Sequence, residues 1–196
     1  MGLDILVFYG SYRRDRQGIH LADWVVNQLN ARGDRAVLID ARAENLPMLD
    51  RMYKEYPAGE APERMERLAQ RIKAADGFIF VTGEYNWSVQ PGLKNLTDHF
   101  LEEWFWRPAG IIGYSAGPFG GMRGMLHWRA ILGEMGMTVI SSTMAVPQIG
   151  ATFGADGQPT GEAGERLAKN FPRYADDLAW WAEAAKAQAA ARKPPY

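Results

Sequence analysis

The chain has 196 residues, with 22 Lys and Arg against 23 Asp and Glu, 3 His and no Cys, for a formal charge of -1. At 47% hydrophobic and 23% charged it can bury a core of its own, which excludes a disordered chain, and the balanced charge argues against a nucleic-acid or membrane-surface partner. The absence of cysteine removes disulfides, thiolate metal sites, iron–sulfur clusters and thiol catalysis together. The start, Met1-Gly2-Leu3-Asp4, carries no basic leader, and no stretch reaches the roughly 20 apolar residues of a membrane span, so the expectation is a cytoplasmic chain with no membrane partner.

The order of elements alternates strand, loop and helix. Residues 3–9 form a mostly apolar run ending at Gly10-Ser11, as suits a strand covered on both faces. Ile19, Ala22, Val25, Val26 and Leu29 then lie on one helical face, and the helix ends near Gly33. Residues 36–40 read as a second strand and 43–62, rich in Pro, Gly and charge, as a long loop. A helix with Met65, Leu68, Ile72 and Ala75 on one side precedes a third strand at 77–82. The loop 83–92 leads into a helix aligning Leu93, Leu96 and Phe100, followed by a fourth strand at 109–114. A Gly-rich loop, 115–121, opens a helix at about 122–135, and 137–142 make a fifth strand. A last helix, with Pro172 near its start, runs to Arg192. Five such units imply a doubly wound α/β domain, with the flavodoxin-like strand order 2-1-3-4-5 as the leading choice. No linker divides it, so residues 1–196 read as a single domain with a C-terminal helical extension from about 160.

In an open parallel sheet the ligand lies beyond the carboxyl ends of the strands. The loop after the first strand, Gly10-Ser11-Tyr12-Arg13-Arg14-Asp15-Arg16-Gln17-Gly18, runs into a helix N-terminus, where exposed N–H groups favour an anion. Arg13, Arg14 and Arg16 against Asp15 give it a local charge of +2 in a near-neutral chain. A solvated turn with surface arginines is the plainer alternative. No two glycines stand two positions apart, so the G-x-G-x-x-G dinucleotide fingerprint is absent, and so is a G-x-x-x-x-G-K-[ST] loop. A mononucleotide with a terminal phosphate remains, and FMN suits this fold. The loop Gly83-Glu84-Tyr85-Asn86-Trp87-Ser88, followed by Pro91-Gly92, can offer a flat apolar wall and polar groups to a flavin ring, though Tyr85 and Trp87 also fit local packing. Ser115-Ala116-Gly117, Phe119 and Gly120-Gly121 would let backbone approach a planar ligand closely.

At these positions the sequence resembles the NAD(P)H-dependent FMN reductase family, which includes flavodoxin-like quinone, chromate and azo-dye reductases. Gly10-Ser11-Tyr12-Arg13 matches its G-S-x-R loop. Glu84-Tyr85-Asn86-Trp87-Ser88 with Pro91-Gly92 and Leu93-Lys94-Asn95 matches its E-Y-N-x-S…P-G-x-L-K-N signature, and Ser115-Ala116-Gly117 with Gly120-Gly121 its third loop. The likeness spans about residues 3–150. It implies that Ser11, Arg13, Arg16, Gln17 and Gly18 hold the FMN phosphate, that Glu84, Tyr85, Asn86, Trp87 and Ser88 line the ring, and that Ser115, Ala116, Gly117 and Gly120 approach its pyrimidine edge. It also implies a homodimer or homotetramer with sites near the interface, NADPH or NADH as co-substrate and a small-molecule electron acceptor. Many relatives have a small hydroxyl residue where this chain has Arg16, and Asn where it has Gly18.

Since the flavin would carry the chemistry, no catalytic side chain is expected. No metal site is expected either: His20, His99 and His127 are far apart, and His99 with Glu103 reads as a pair on a helix surface. Neither Ser11 nor Ser115 sits in G-x-S-x-G, which disfavours a hydrolase. Of Trp104, Phe105 and Trp106 at least one is expected to leave the core for a partner subunit or the cofactor rim, and Tyr53 and Tyr56 to reach a neighbouring subunit's site. A flavodoxin-like electron carrier without nucleotide turnover is the alternative. The Arg-containing loop and the charge of -1 favour the reductase.

Overall fold

Apolar runs become strands and the amphipathic stretches between them become helices in the computed structural model, which describes residues 2–196. The strands are β1 (Asp4–Tyr9), β2 (Arg35–Asp40), β3 (Gly77–Gly83), β4 (Pro108–Tyr114) and β5 (Thr138–Val146), joined as one parallel sheet in the order β2-β1-β3-β4-β5. The helices are α1 (Gly18–Ala31), α2 (Ala41–Glu44), α3 (Glu63–Ala74), α4 (Pro91–Asp98), α5 (Met122–Glu134), α6 (Ile149–Thr152) and α7 (Gly161–Ala191). The fold is the flavodoxin-like one that the five β-α units imply. No helix among the described residues is long and apolar enough to cross a membrane.

Every residue of β3 and β4 is buried, because helices cover both faces and neither face can be polar. On one face Ile5, Val7, Ile79, Val81 and Ile112 meet apolar residues of α1 and α7. On the other, Leu6, Phe8, Phe78, Phe80 and Ile111 meet α3, α4 and α5. Trp104 centres that second core. Its ring lies 5.2 Å from Phe8, 5.1 Å from Phe78, 6.0 Å from Phe80 and 6.2 Å from Phe100, mostly edge-on or tilted, as aromatic quadrupoles prefer.

Several expectations need correction. Pro172 lies well inside α7 rather than near its start, in a helix seated on the core through Leu167, Phe171, Tyr174 and Leu178, whose burial offsets the lost backbone bond. The stretch 43–62 is not featureless: α2 begins just before it, and Tyr53–Glu55 form a 3-10 turn. Tyr53 and Tyr56 pack against their own core instead of reaching outward, and the Tyr53 hydroxyl donates to Glu66 Oε2 at 2.9 Å. α4 stops at Asp98, so His99 and Glu103 do not share a helix, and both are buried. His99 Nδ1 lies 2.7 Å from Asn95 O, and Glu103 meets Lys73 Nζ at 3.4 Å. Trp106 does leave the core, but at the amino end of β4, away from the ligand loops. Its ring meets Tyr196 at 4.7 Å. β5 runs on to Val146 because its pairing with β4 shifts register between Ala109 and Ile111 and then resumes.

Trp104→Ala is expected to cost about 3–5 kcal/mol by removing a fully buried ring, whereas Trp180→Ala, at 72% exposure, should stay within about 0.5 kcal/mol. Urea unfolding of the two variants measures both.

Candidate functional site

β1 ends at Tyr9 and the chain turns over before α1 begins. Gly10 presses on α4: a Cβ there would stand 2.5 Å from the N and Cα of Leu93, so no side chain fits. Ser11 is buried, with its hydroxyl 2.9 Å from that of Tyr85. The N–H of Arg13 reaches Ser11 Oγ at 3.4 Å and that of Gln17 reaches Asp15 O at 3.1 Å. Among the described residues, the N–H groups of Tyr12, Arg14, Asp15 and Arg16 have no acceptor in the protein. Grouped before the N-terminus of α1, they suit a phosphate. Arg13 and Arg14 are exposed at the edge of this loop, and so is Gln17, which precedes α1 without a side-chain capping bond.

Arg16 and Gly18 have other work in the structure. Arg16 turns inward and grips Asp40 with two nitrogens, at 2.7 and 2.9 Å, while lying over the Tyr9 ring. The hydrogen bond to Asp40 raises its pKa further. Asp40 also accepts from the Arg42 N–H at 3.1 Å and so caps α2. Arg16 thus fastens the loop to the end of β2. Gly18 lies beneath Tyr114, whose ring carbon Cζ would be 2.3 Å from an added Cβ. The chain has glycine here because the Tyr114 ring occupies the space of a side chain.

Beyond β3, Tyr85 and Ser88 exchange both main-chain hydrogen bonds at 3.0 Å, with Asn86 at φ 46° and Trp87 at φ 74°. Two consecutive positive φ values make a tight turn that Trp adopts only under strain. α5 holds the turn in place. Arg123 donates from its guanidinium to Glu84 Oε1 at 2.6 Å and from its N–H to Oε2 at 3.2 Å. The same guanidinium is stacked 3.9 Å from the Trp87 ring centre and 4.7 Å from that of Phe119. One turn further on, His127 Nδ1 lies 2.9 Å from Ser88 Oγ. The third loop is closed by Ser115 Oγ donating to Gly117 O at 2.9 Å, leaving Ala116 and Gly117 exposed with N–H groups that have no acceptor in the protein. Gly120, at φ 61°, is buried against Ala145 and turns the chain toward α5.

A buried phenol cluster joins these loops from below. Gln90 Nε2 donates to Tyr114 Oη at 2.8 Å, and Tyr114 Oη donates to Tyr9 Oη at 3.4 Å. Burial pushes both phenols up, so they stay protonated at ordinary pH. The structure therefore brings together Ser11, Arg13, Glu84, Tyr85, Asn86, Trp87, Ser88, Ser115, Ala116 and Gly117 at one end of the sheet, with Gly120 and Gly18 packed underneath. Asp40, Gln90, Tyr114, Arg123 and His127 belong to the same constellation and were not among the site residues expected from the sequence. Only a partner-by-partner accounting of Glu84 and Arg16, both charged and set in ligand loops, would have pointed to Arg123 and Asp40.

Gly18→Ala is expected to destabilise the fold by about 1–3 kcal/mol through overpacking against Tyr114. Thermal unfolding of the variant, followed by circular dichroism, checks it.

The profile of the family described as NADPH-dependent FMN reductase matches residues 3–151. The NAD(P)H-dependent FMN reductase ntnL of Nectria sp is 33% identical over 126 residues, which are 61% of this chain and 62% of that protein. A 2-hydroxy-1,4-benzoquinone reductase of Burkholderia sp is 31% identical over 147 residues, 72% of this chain and 76% of that one. Among solved structures, FerB, a flavoenzyme NAD(P)H:(acceptor) oxidoreductase of Paracoccus denitrificans, aligns with a TM-score of 0.72 and 28% identity over 93% of this chain and 98% of its own. The chain thus spans about three-fifths of the length of the first of these relatives. The profile takes in all five strands and the three ligand loops, and the chain belongs to the NADPH-dependent FMN reductase family.

Proposed function

We propose that the chain is an FMN-dependent oxidoreductase that draws electrons from NADPH or NADH and delivers them to a small-molecule acceptor such as a quinone, a free flavin or an azo compound. The observation that carries this reading is the meeting of three loops with open N–H groups at the carboxyl ends of β1, β3 and β4. The Ser11–Tyr85 and Glu84–Arg123 contacts tie the first loop to the second and the second to α5.

The residues fit the cofactor. The open N–H groups of Tyr12, Arg14, Asp15 and Arg16, with Ser11, Arg13 and Gln17, suit a terminal phosphate; Arg16 serves mainly by holding the loop's shape through Asp40. The turn at Tyr85–Ser88 presents an aromatic wall and main-chain polar groups to a flat ring. The N–H groups of Ala116 and Gly117 suit the carbonyl-bearing edge of such a ring, where electron density grows on reduction. When bound, FMN supplies hydride acceptance from the nucleotide and return of the electrons to a second substrate in the same place, a ping-pong scheme. The chain binds and orients both substrates, and its neutral buried phenols keep charge out of the floor of the site.

We read the chain as one flavin-binding unit with α7 as its extension, working in the cytoplasm. It is read as a homodimer or homotetramer, supported by the exposed apolar side chains of Trp87, Phe119, Met122 and Leu126 beside the site. Light scattering gives the number of subunits.

Added FMN should turn the protein yellow, and the loaded protein should oxidise NADPH or NADH when a quinone or free flavin is present. A colourless protein in excess FMN sinks the proposal, and a yellow one inert to both nucleotides makes it an electron carrier. Two variants separate the loops. Arg13→Ala should weaken FMN binding roughly ten- to a hundredfold and leave riboflavin, which lacks the phosphate, unaffected. Arg123→Gln should weaken both flavins by about tenfold, because it releases the ring-side turn. Fluorescence titration with each flavin reads all four affinities.

A further inference from the structure

A cavity of about 440 Å³ lies at the opposite end of the sheet from the three ligand loops. Pro108 and Thr138, which line it, are the first residues of β4 and β5, whereas the loops follow the last residues of β1, β3 and β4. Its other walls come from Trp106, from Trp181 and Gln188 in the C-terminal half of α7, and from the segment beyond that helix. None of the residues given to the flavin takes part in it.

The cavity is made by a chain that folds back on itself. The backbone is extended at Arg192, where α7 ends, and Pro194 and Pro195 then form a wall. Trp106 fastens the returning segment: its Nε1 donates to Tyr196 O at 3.0 Å, and the Tyr196 ring lies edge-on to Phe105 at 5.4 Å. Trp106 itself holds a φ of 67°. A bulky residue adopts that left-handed backbone only where its surroundings impose it, and such strain gathers at ligand clamps. Two indoles and two prolines make the walls apolar, and the prolines bring no N–H that would need a partner.

The charged groups are few and of one sign. Arg192 and Lys193 line the cavity, and no Asp or Glu does. Among the described residues neither cation takes part in an ion pair. Thr138 and Gln188 add a hydroxyl and an amide. We infer that this cavity binds a small planar aromatic carboxylate, its ring against Trp106 and Trp181 and its carboxylate toward Arg192 and Lys193. The volume is in the range of small-ligand sites, roughly 300–1,000 Å³. A guanidinium and an ammonium, beside an amide and a hydroxyl, answer the two oxygens of one carboxylate. A sugar or a nucleotide would bring more polar groups than two neutral side chains can meet, and leaving them unpaired against apolar walls is costly. A neutral ring fills the walls but makes no use of the cations. The inference stands apart from the proposed function, because the two sites share no residue.

The probe is naphthoate, with naphthamide as its uncharged counterpart, titrated by calorimetry into the flavin-free and the FMN-saturated protein. Naphthoate should bind with the same affinity in both states and about tenfold more tightly than the amide. Arg192→Gln together with Lys193→Gln should lower the naphthoate affinity about tenfold and leave that of the amide unchanged. Trp181→Ala should weaken both probes about tenfold, and Trp180→Ala, whose ring lies outside the lining, should change neither. All four side chains are exposed, and thermal unfolding without probe checks that each variant is folded. The inference is overturned if naphthoate does not bind, if the amide binds equally well, if the Arg192 and Lys193 changes or Trp181→Ala leave its affinity unaltered, or if FMN abolishes binding and so places the probe among the ligand loops. A chain that takes up no flavin defeats the flavin reading separately, and the flavin-free titration still reads the cavity.

Discussion

The ligand end of this protein is organised around the ring of Tyr114. It closes β4, fills the space above Gly18 and Gly83, accepts a hydrogen bond from Gln90, and donates one to Tyr9 at the end of β1. Three loops from three strands therefore share one buried side chain, and each can approach because it offers a glycine or a polar partner to that ring. Moving the phenol would displace the start of α1 and the entry to the ring-side turn together. The open N–H groups above it are positioned by packing below them, in the way a rigid scaffold positions loops for function.

Much of the architecture is legible in the sequence because the physics that sets it is local. Runs such as Phe78-Ile79-Phe80-Val81 are short and made of aromatic and β-branched residues, which favours a strand covered twice, and the spacing of Met65, Leu68 and Ile72 permits one helix face. The three ligand loops are visible because glycine, proline and charge gather where a strand has just ended. Pairings between distant residues are not visible in this way. Arg16 gives no sign that Asp40 lies within 3 Å, and Gly18 does not announce the tyrosine ninety-six residues later that claims its missing side chain. Trp87 with a positive φ runs against backbone preference, and only the stacking on Arg123 and the tether of Ser88 to His127 account for it.

The same pairings redistribute the charge. The loop after β1 carries three arginines and one aspartate, but Arg16 is spent on Asp40, so Arg13 and Arg14 are the cations it shows to solvent. On the other side of the site Arg123 is matched by Glu84. What is left is positive charge beside the loop after β1 and near-neutral walls beside the turn after β3. Such a gradient suits the anion-tailed planar molecule of the function proposed above.

The two faces of the sheet differ in when they can close. The face built on Trp104 draws its apolar residues from Leu6 to Met137, and a chain emerging from the ribosome can complete it early. The opposite face needs Leu167, Phe171, Tyr174, Ala175, Leu178 and Ala182, which all lie on α7. The profile that defines the family stops at residue 151, before that helix begins. The part of the chain by which its lineage is recognised is thus an unfinished fold, with one face of the sheet covered by α1 alone until the last helix is made.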